Sequence, residues 1–183
     1  MVRQPNIVLI MSDQLRFDAL GCNGNRAIRT PNLDRLAEEG VRFEHCYVNG
    51  TICTPSRASI MTGKSVLSHG SLTLRDELDG REVMFPSLLR DLGYQTALFG
   101  KLNVSSSSLE ARFRHPNDGF DVYEWCHSPF EFYDSPYNAY AKWLKERDEP
   151  FYRKYEAEGP KLVSEQLYRD ISQNNDRACN GSL

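Results

Sequence analysis

One short stretch of the sequence places a nucleophile close to a fixed cation. Cys53 and Arg57 are separated by three residues, and Pro55 lies between them. Because proline is favoured in the first turn of a helix, this stretch predicts a helix from Pro55 to about Met61, with Cys53 at its N-terminal end. Unsatisfied N–H groups and the helix dipole favour negative charge there, and Arg57 adds a positive charge beside it. The residues suit nucleophilic attack on a bound oxyanion.

Two other interpretations use the same cysteine and arginine. Cysteine-dependent phosphatases combine these side chains, but they separate them by five residues, so the spacing of three in this chain argues against that class. Alternatively, Cys53 is a structural cysteine ahead of a helix and Arg57 is a surface charge. The residues of this stretch alone leave the second interpretation open.

Polar side chains also follow an apolar run near the start of the chain. The run Asn6 to Met11 is apolar after its first residue and is followed by Ser12, Asp13 and Gln14. Such a run is typical of a central strand that is buried on both faces. Open α/β sheets bind ligands at the carboxyl ends of their strands, which makes Asp13 and Gln14 candidate site residues. Asp13 can equally cap a turn, and both interpretations stay open.

The elements expected to position these groups alternate between helix and strand. Helices are expected over 30–40, with Thr30 as N-cap, and over 85–93. Strands are expected over 41–48 and 94–99. Each helix has a proline near its start and a glycine at its end. Lys101 and Asn103 follow the second of these strands. The alternation predicts an α/β fold, a layered α/β/α sandwich with a mostly parallel central sheet.

The rest of the sequence contains weaker signals. We expect loops over 64–82, a flexible serine tract from Ser105 to Ser108 and an irregular aromatic-rich segment over 120–140. Two short amphipathic helices are expected over 138–147 and 151–158, and a frayed end over 174–183.

Composition excludes several classes of protein. A length of 183 residues fits one domain. Lys+Arg 22 against Asp+Glu 25 gives a net charge of -3 without a long run of one sign, so neither nucleic acid nor a membrane is an expected partner. Five cysteines without a CxxC pair argue against a disulfide framework and against a zinc site. The apolar run near the N-terminus has only five residues, too few for a secretory signal, so the expected location is cytoplasmic.

Several stretches together resemble the type I, formylglycine-dependent sulfatases of the alkaline-phosphatase-like superfamily. The matching stretches are Cys53-x-Pro55-x-Arg57 with Thr62-Gly63, Pro5 to Asp13, Thr30 to Ala37, Gly93 to Lys101, and Asp118 to Asp121. They match the family in order and spacing from residue 5 to about 121, whereas 122–183 is irregular and matches weakly. The resemblance implies that residues 1–183 form the amino-terminal part of a single sulfatase-like catalytic domain with the fold predicted above.

The resemblance also implies a mechanism. In the family a maturation enzyme converts the cysteine, here Cys53, to formylglycine. One hydroxyl of the hydrated aldehyde attacks sulfur, and the second lets the intermediate collapse and release sulfate. Arg57 and Lys101 would hold the nucleophile and the sulfate oxygens. The expected partners are thus a formylglycine-generating enzyme and a small-molecule sulfate ester.

The resemblance implies a divalent metal as well. Ca²⁺ is the expected ion, with Mg²⁺ or Mn²⁺ as alternatives, and its ligands would be Asp13, Gln14 and the oxidised side chain at position 53. Two residues depart from the family pattern. Gln14 stands where the family has an acidic ligand, and Asn103 stands where it has a histidine. Because asparagine cannot exchange a proton near neutral pH, we expect slower turnover.

The length of the chain restricts what the resemblance implies. Family members are several hundred residues long, and their later ligands, second lysine and leaving-group histidine have no counterpart in this sequence. His69, His115 and His127 do not match those positions, so loop or core roles are expected for them. We therefore expect sulfate ester hydrolysis in the complete enzyme and no activity of this chain alone. The alternatives are a phosphonate or phosphodiester hydrolase of the same superfamily, and a truncated, non-catalytic sulfatase-like protein.

Overall fold

The computed structural model describes residues 4–128, 132, 134–154 and 156–157. The chain divides into two compact units, Met1–Val48 and Asn49–Leu183. The frayed end expected over 174–183 lies outside the described residues. No helix in the described part of the chain is long and apolar enough to cross a membrane.

In the first unit, the helix predicted over 30–40 is confirmed. Helix α1 spans Pro31–Glu39 and begins with its proline. Thr30 is the N-cap residue, as predicted, and its carbonyl accepts from the N–H of Asp34 at 2.8 Å, but its hydroxyl makes no hydrogen bond to a backbone N–H of the first turn. The hydroxyl instead accepts from the N–H of Gly21 at 2.8 Å and donates to the carboxylate of Asp34 at 2.9 Å. Thr30 therefore connects the helix to the turn that precedes it.

The strands predicted over 6–11 and 41–48 are wrong for the described residues. Neither segment pairs with another in a ladder, and apolar side chains of the first are exposed, Val8 by 78% and Ile10 by 85%. A buried central strand needs hydrogen-bonded neighbours on both sides and cover on both faces. An apolar run predicts that a segment can be buried, but it does not specify which strand will pair with it.

The second unit contains the elements that surround the predicted reactive stretch. In chain order they are α2 (Cys53–Thr62), α3 (Val66–His69), α4 (Phe85–Asp91), β1 (Ala97–Gly100), α5 (Ser107–Glu110), β2 (Val122–Trp125) and α6 (Ala139–Arg147). Helices α4 and α6 confirm the predictions over 85–93 and 138–147. The side chain of Asn138 caps α6 by accepting from the N–H of Ala141 at 3.0 Å. A further helical stretch at 149–154 agrees with the helix expected beyond Pro150.

Strands β1 and β2 form a parallel pair. Ala97 lies opposite Val122, and Gly100 lies opposite Trp125. Strand β1 confirms, in shorter form, the strand predicted over 94–99. The carbonyl of Thr96 accepts from the N–H groups of both Asp121 and Val122 at 3.0 Å, so the pairing begins just before the strands. The parallel arrangement agrees with the predicted α/β class.

The turn before β2 packs tightly against helix α4. Gly119 has a φ of +74°, and a Cβ atom at this residue would lie 2.1 Å from the backbone nitrogen of Ser87. The carbonyl of Gly119 accepts from the hydroxyl of Thr96 at 2.5 Å. Only glycine satisfies both the left-handed conformation and the close approach.

Three irregular regions of the prediction are more ordered than expected. The predicted loop at 64–82 contains helix α3 and the fully buried Leu78. The predicted flexible tract from Ser105 to Ser108 contains a buried Ser105 and the start of α5. The segment 120–140 contains strand β2, which is four residues long and therefore too short to show a clear alternation. These regions are ordered by contacts that are distant in sequence.

Candidate active site

Cys53 is the first residue of helix α2. The helix begins two residues earlier than predicted, so Cys53 lies within its first turn and Ile52 is the N-cap. The N–H of Ser56 donates to the carbonyl of Ile52 at 3.1 Å, which closes that turn. Cys53 is half-buried and has a free thiol. The N-terminal position expected for the nucleophile is therefore present, with backbone N–H groups of the first turn nearby.

Arg57 lies one turn further along α2 and is 7% exposed. Its Nη1 donates to the carbonyl oxygen of Lys101 at 2.8 Å. Among the described residues, no carboxylate forms an ion pair with this guanidinium. The alternative in which Arg57 is a surface charge is wrong. Its positive charge is buried and is not neutralised by an acidic side chain of the described chain.

Lys101 and Asn103 follow β1, as predicted. Asn103 is 3% exposed and has a φ of +58°, a left-handed conformation. Its Nδ2 donates to the hydroxyl of Thr54 at 3.0 Å and to the carbonyl of Ser105 at 3.3 Å. Together with the bond between Arg57 and the Lys101 carbonyl, this contact connects the loop after β1 to the first turns of α2.

The amide oxygen of Asn103 is an unusual feature of this loop. Within the described residues, Oδ1 is buried and has no hydrogen-bond partner. A buried acceptor without a donor costs about 1–3 kcal/mol. A water molecule or a bound group that donates a hydrogen bond would satisfy this atom.

Glu110 is a residue of this region that the sequence does not predict, and it is buried beneath the same loop. Its carboxylate accepts from the backbone N–H groups of Asn103, Val104 and Ser105 and from the indole N–H of Trp125, at 2.7 to 3.1 Å. The sequence contains no motif that marks this glutamate, since it follows a serine tract that predicts flexibility.

The predicted metal ligands Asp13 and Gln14 lie in the first unit, whereas Cys53, Arg57, Lys101 and Asn103 lie in the second. Both side chains of the first unit are exposed, and Gln14 has a φ of +51°. In the part of the chain that is described, no group of three or more His, Cys, Asp or Glu side chains could hold a metal ion. A carboxylate and an amide oxygen are suitable donors for a hard divalent cation, but Ca²⁺ takes 6–8 oxygen ligands.

His69 has the core role expected for it. Its ring is buried, its Nδ1 accepts from the N–H of Ser71 at 3.2 Å, and its Nε2 lies 2.9 Å from the hydroxyl of Ser59. Because Nδ1 accepts, Nε2 bears the proton and donates to Ser59 on helix α2. Burial lowers the pKa of His69. The side chain supports α2 from the side of α3.

His115 and His127 also make local contacts in the second unit. The Nε2 of His115 lies 3.0 Å from the carbonyl of Asp79, and the ring of His127 packs against Trp125 and Phe132. These contacts agree with loop and core roles rather than with a place beside the reactive stretch.

Comparison with known sequences identifies relatives of the chain. The sequence profile of the sulfatase family matches residues 5–174. An N-acetylglucosamine-6-O-sulfatase of Bacteroides thetaiotaomicron is 34% identical over 148 residues, which cover 79% of this chain and 25% of that protein. An arylsulfatase of Clostridium perfringens is 48% identical over 102 residues, 55% of this chain and 21% of that protein. The chain thus spans about a quarter of the length of these curated relatives.

Two solved structures are similar to the structure of this chain. A phosphonate monoester hydrolase of Agrobacterium radiobacter aligns with a TM-score of 0.63 at 26% identity, over 81% of this chain and 30% of that one. A protein in complex with its substrate D-glucosamine-2-N,6-O-disulfate aligns with a TM-score of 0.57 at 38% identity, over 67% of this chain and 23% of that one. These neighbours confirm the predicted α/β, alkaline-phosphatase-like fold class. The chain belongs to the sulfatase family.

Proposed function

We propose that the protein containing this chain hydrolyses sulfate esters, and that the chain supplies the nucleophile end of the active site. Cys53 is the residue converted to formylglycine by a maturation enzyme that recognises the stretch from Cys53 to Arg57. Membership of the sulfatase family supports the general reaction. The buried, unneutralised guanidinium of Arg57 is the structural observation that supports it most strongly.

The charge of Arg57 favours an anionic substrate. A buried charge is costly unless a partner of opposite charge compensates it. Its hydrogen bond to the Lys101 carbonyl uses Nη1 and leaves Nε and Nη2 without a partner among the described residues. A guanidinium binds tetrahedral oxyanions through such parallel N–H groups. Arg57 therefore binds and orients the sulfate group in this proposal, and Lys101 supplies a second cation.

Asn103 contributes a hydrogen-bond acceptor. Formylglycine, when formed and hydrated, supplies a hydroxyl that attacks sulfur and a second hydroxyl whose proton is lost on release. The buried Oδ1 of Asn103, without a donor in the described chain, can accept a hydrogen bond from a hydroxyl and so fix its orientation. An amide cannot remove a proton near neutral pH. Asn103 thus orients a hydroxyl but does not act as a base, which predicts slower turnover than a histidine would give.

Asp13 and Gln14 are the oxygen donors that we assign to a divalent metal. Their chemistry fits Ca²⁺, with Mg²⁺ and Mn²⁺ as alternatives, and an ion bound there would offset the negative charge of the sulfate group. Two side chains fall short of the coordination number of Ca²⁺, so an ion bound there needs further oxygen ligands.

The substrate in this proposal is a small sulfate ester. The relatives are named for N-acetylglucosamine-6-O-sulfate and aryl sulfates, and sulfated sugars and aryl sulfates are accordingly the first substrates to test. A phosphonate or phosphodiester hydrolase is the second candidate. The structural similarity to a phosphonate monoester hydrolase favours it, because that alignment covers 81% of this chain.

A comparison of rates tests the proposal. The protein containing this chain, matured by a formylglycine-generating enzyme, is assayed with 4-nitrophenyl sulfate, glucosamine 6-sulfate and a phenyl phosphonate monoester. We expect faster hydrolysis of a sulfate ester and its loss in Cys53→Ala. Faster hydrolysis of the phosphonate would favour the second candidate. Full activity of Cys53→Ala would contradict both.

A further inference from the structure

The carboxylate of Glu110 is buried, and no cationic side chain of the described residues forms an ion pair with it. Its Oε1 accepts from the N–H groups of Val104 at 2.7 Å and Ser105 at 3.1 Å. Its Oε2 accepts from the N–H of Asn103 at 2.9 Å and from the indole N–H of Trp125 at 3.0 Å. The side chain is 4% exposed. We refer to these five residues as the Glu110 cluster.

Hydrogen bonds alone compensate the charge of this carboxylate. No Lys, Arg or His of the described residues forms an ion pair with it. Such charge-assisted bonds are roughly twice as strong as neutral ones, and losing a partner inside the protein leaves a polar group unsatisfied. The three consecutive N–H groups of Asn103, Val104 and Ser105 all point at one side chain. The Glu110 cluster therefore fixes the backbone of this loop and attaches it to the end of strand β2.

The loop fixed in this way contacts helix α2 at two points. Asn103 adopts its left-handed φ of +58° and donates from its side chain to Thr54, the residue after Cys53. The carbonyl of Lys101 accepts from Arg57. A left-handed conformation at a residue other than glycine persists only where its surroundings determine it. The hydrogen bonds from the N–H groups of Asn103, Val104 and Ser105 to Glu110 hold Asn103 in this conformation.

We propose that Glu110 is a positioning residue of the sulfate ester site. It sets the backbone of 101–105 so that the Asn103 amide and the Lys101 carbonyl meet the first turns of α2. This inference rests on the function proposed above, since it assigns Glu110 an effect on Asn103 and Arg57. Glu110 itself does not contact the reacting atoms in this proposal.

The variant Glu110→Gln tests the inference with little change in size. A glutamine must present its NH₂ group to one pair of N–H donors, so two of the four bonds are replaced by repulsion. Glu124→Gln is the matched control, because Glu124 is an exposed glutamate in strand β2. Hydrogen exchange of amides 101–105 and the alkylation rate of Cys53 are measured on this chain. The values of kcat and KM are measured on the matured protein that contains it.

In Glu110→Gln we expect faster hydrogen exchange of amides 101–105 and an altered alkylation rate of Cys53. We also expect kcat to fall at least tenfold while KM changes less than threefold. Glu124→Gln should show none of these changes. Unchanged exchange, or unchanged kcat despite faster exchange, would overturn the inference. If the unsubstituted protein hydrolyses no sulfate ester, the proposed function fails. The positioning role is then judged on exchange and Cys53 alkylation, and unchanged values reject it.

A second variant covers the case in which Glu110→Gln does not fold, as judged by circular dichroism. Trp125→Phe removes one of the four donors and retains an aromatic ring in the core. We expect smaller changes in the same direction in exchange and kcat. If Trp125→Phe unfolds locally without any change in the hydrogen exchange of amides 101–105, the positioning role of Glu110 is also rejected.

Discussion

Arg57 is a buried cation that donates to a carbonyl oxygen, that of Lys101, and pairs with no acid in the described chain. A carbonyl dipole satisfies an N–H group but does not neutralise a full positive charge. A sulfate group would do both, because its oxygens accept from the remaining N–H groups. The electrostatics of the residue therefore favour the state with a bound anion.

This charge balance predicts how Arg57→Met responds to sulfate. A ligand present at 100 times its Kd stabilises the folded protein by about 2.7 kcal/mol, and this gain should be absent in the variant. Thermal unfolding with and without sodium sulfate measures it. Arg75→Met is the control, since Arg75 is exposed and keeps the general salt effect. An equal rise of Tm in Arg57→Met and the control would show that Arg57 does not bind the anion.

His69 gives the second unit a pH-dependent stability. Burial lowers the pKa of its imidazole, while Glu82 opposes this shift and Lys64 adds to it. In the unfolded chain the pKa of His69 is near 6.5, above its pKa in the folded chain. The stabilisation from neutral His69 is therefore complete above pH 6.5 and is lost as the pH falls towards the lower folded pKa.

Denaturant unfolding between pH 7.5 and pH 5 tests this expectation. The free energy of unfolding should fall with pH, and His69→Gln should flatten the curve because it removes the titrating group. His45→Gln, which changes an exposed histidine, should keep the slope of the unsubstituted protein. A slope that survives in His69→Gln would assign the pH dependence to other groups.

For individual residues, the sequence predicts which side chains are candidates for the reaction, but it does not predict the contacts that hold them in position. Arg57 lies in helix α2, as expected, and Cys53 is the first residue of that helix, two residues before its predicted start. Glu110 could not be predicted, because its donors belong to a loop and to Trp125, which become neighbours only when β1 and β2 pair. The left-handed Asn103 depends on the same contacts.

At the scale of elements, helices were predicted better than strands. Helix α1 begins with a proline, α4 has one as its second residue, and both end within two residues of a glycine, so local sequence determines both ends. Strands depend on partners: the apolar run at 6–11 lacks one within the described residues, and the unpredicted strand β2 has one in β1. Pairing is specified by distant contacts that no short window of sequence contains.

Gly119 tests how strongly the turn before β2 depends on close packing. In Gly119→Ala the new methyl group meets the backbone of Ser87 at 2.1 Å in addition to the strain of a positive φ. We expect a loss of stability above about 3 kcal/mol. Gly93→Ala is the matched control, since its φ is +88° and no atom lies within 4 Å of the added Cβ. It should lose only about 1–2 kcal/mol. Similar losses in both variants, measured by urea unfolding, would show that the contact with Ser87 yields.

At the scale of the whole molecule, the chain corresponds to about a quarter of each sulfatase relative. It contains the residues that we propose as the nucleophile, as two cations of the site and as two oxygen donors for a metal. Apolar side chains of the first unit, such as Val8 and Ile10, are exposed. Exposed apolar surface of this kind favours association with further polypeptide.

These features predict that the 183-residue chain alone does not turn over a sulfate ester. In the part of the chain that is described, no group of three or more His, Cys, Asp or Glu side chains could hold a metal ion, and the chain spans about a quarter of the length of its relatives. The measurement is hydrolysis of 4-nitrophenyl sulfate by the purified, matured chain with added Ca²⁺. The related arylsulfatase of Clostridium perfringens serves as the positive control. Turnover by the chain that depends on the metal would contradict the prediction.

We propose that Cys53 becomes the catalytic aldehyde. The direct measurement is mass spectrometry of the tryptic peptide from Phe43 to Arg57 after expression with a formylglycine-generating enzyme. We predict that position 53 is converted to formylglycine, because the stretch from Cys53 to Arg57 resembles the signature of the sulfatase family, whose profile matches residues 5–174. A peptide that retains an unaltered thiol under conditions that convert a known sulfatase would show that Cys53 is not the precursor of the aldehyde.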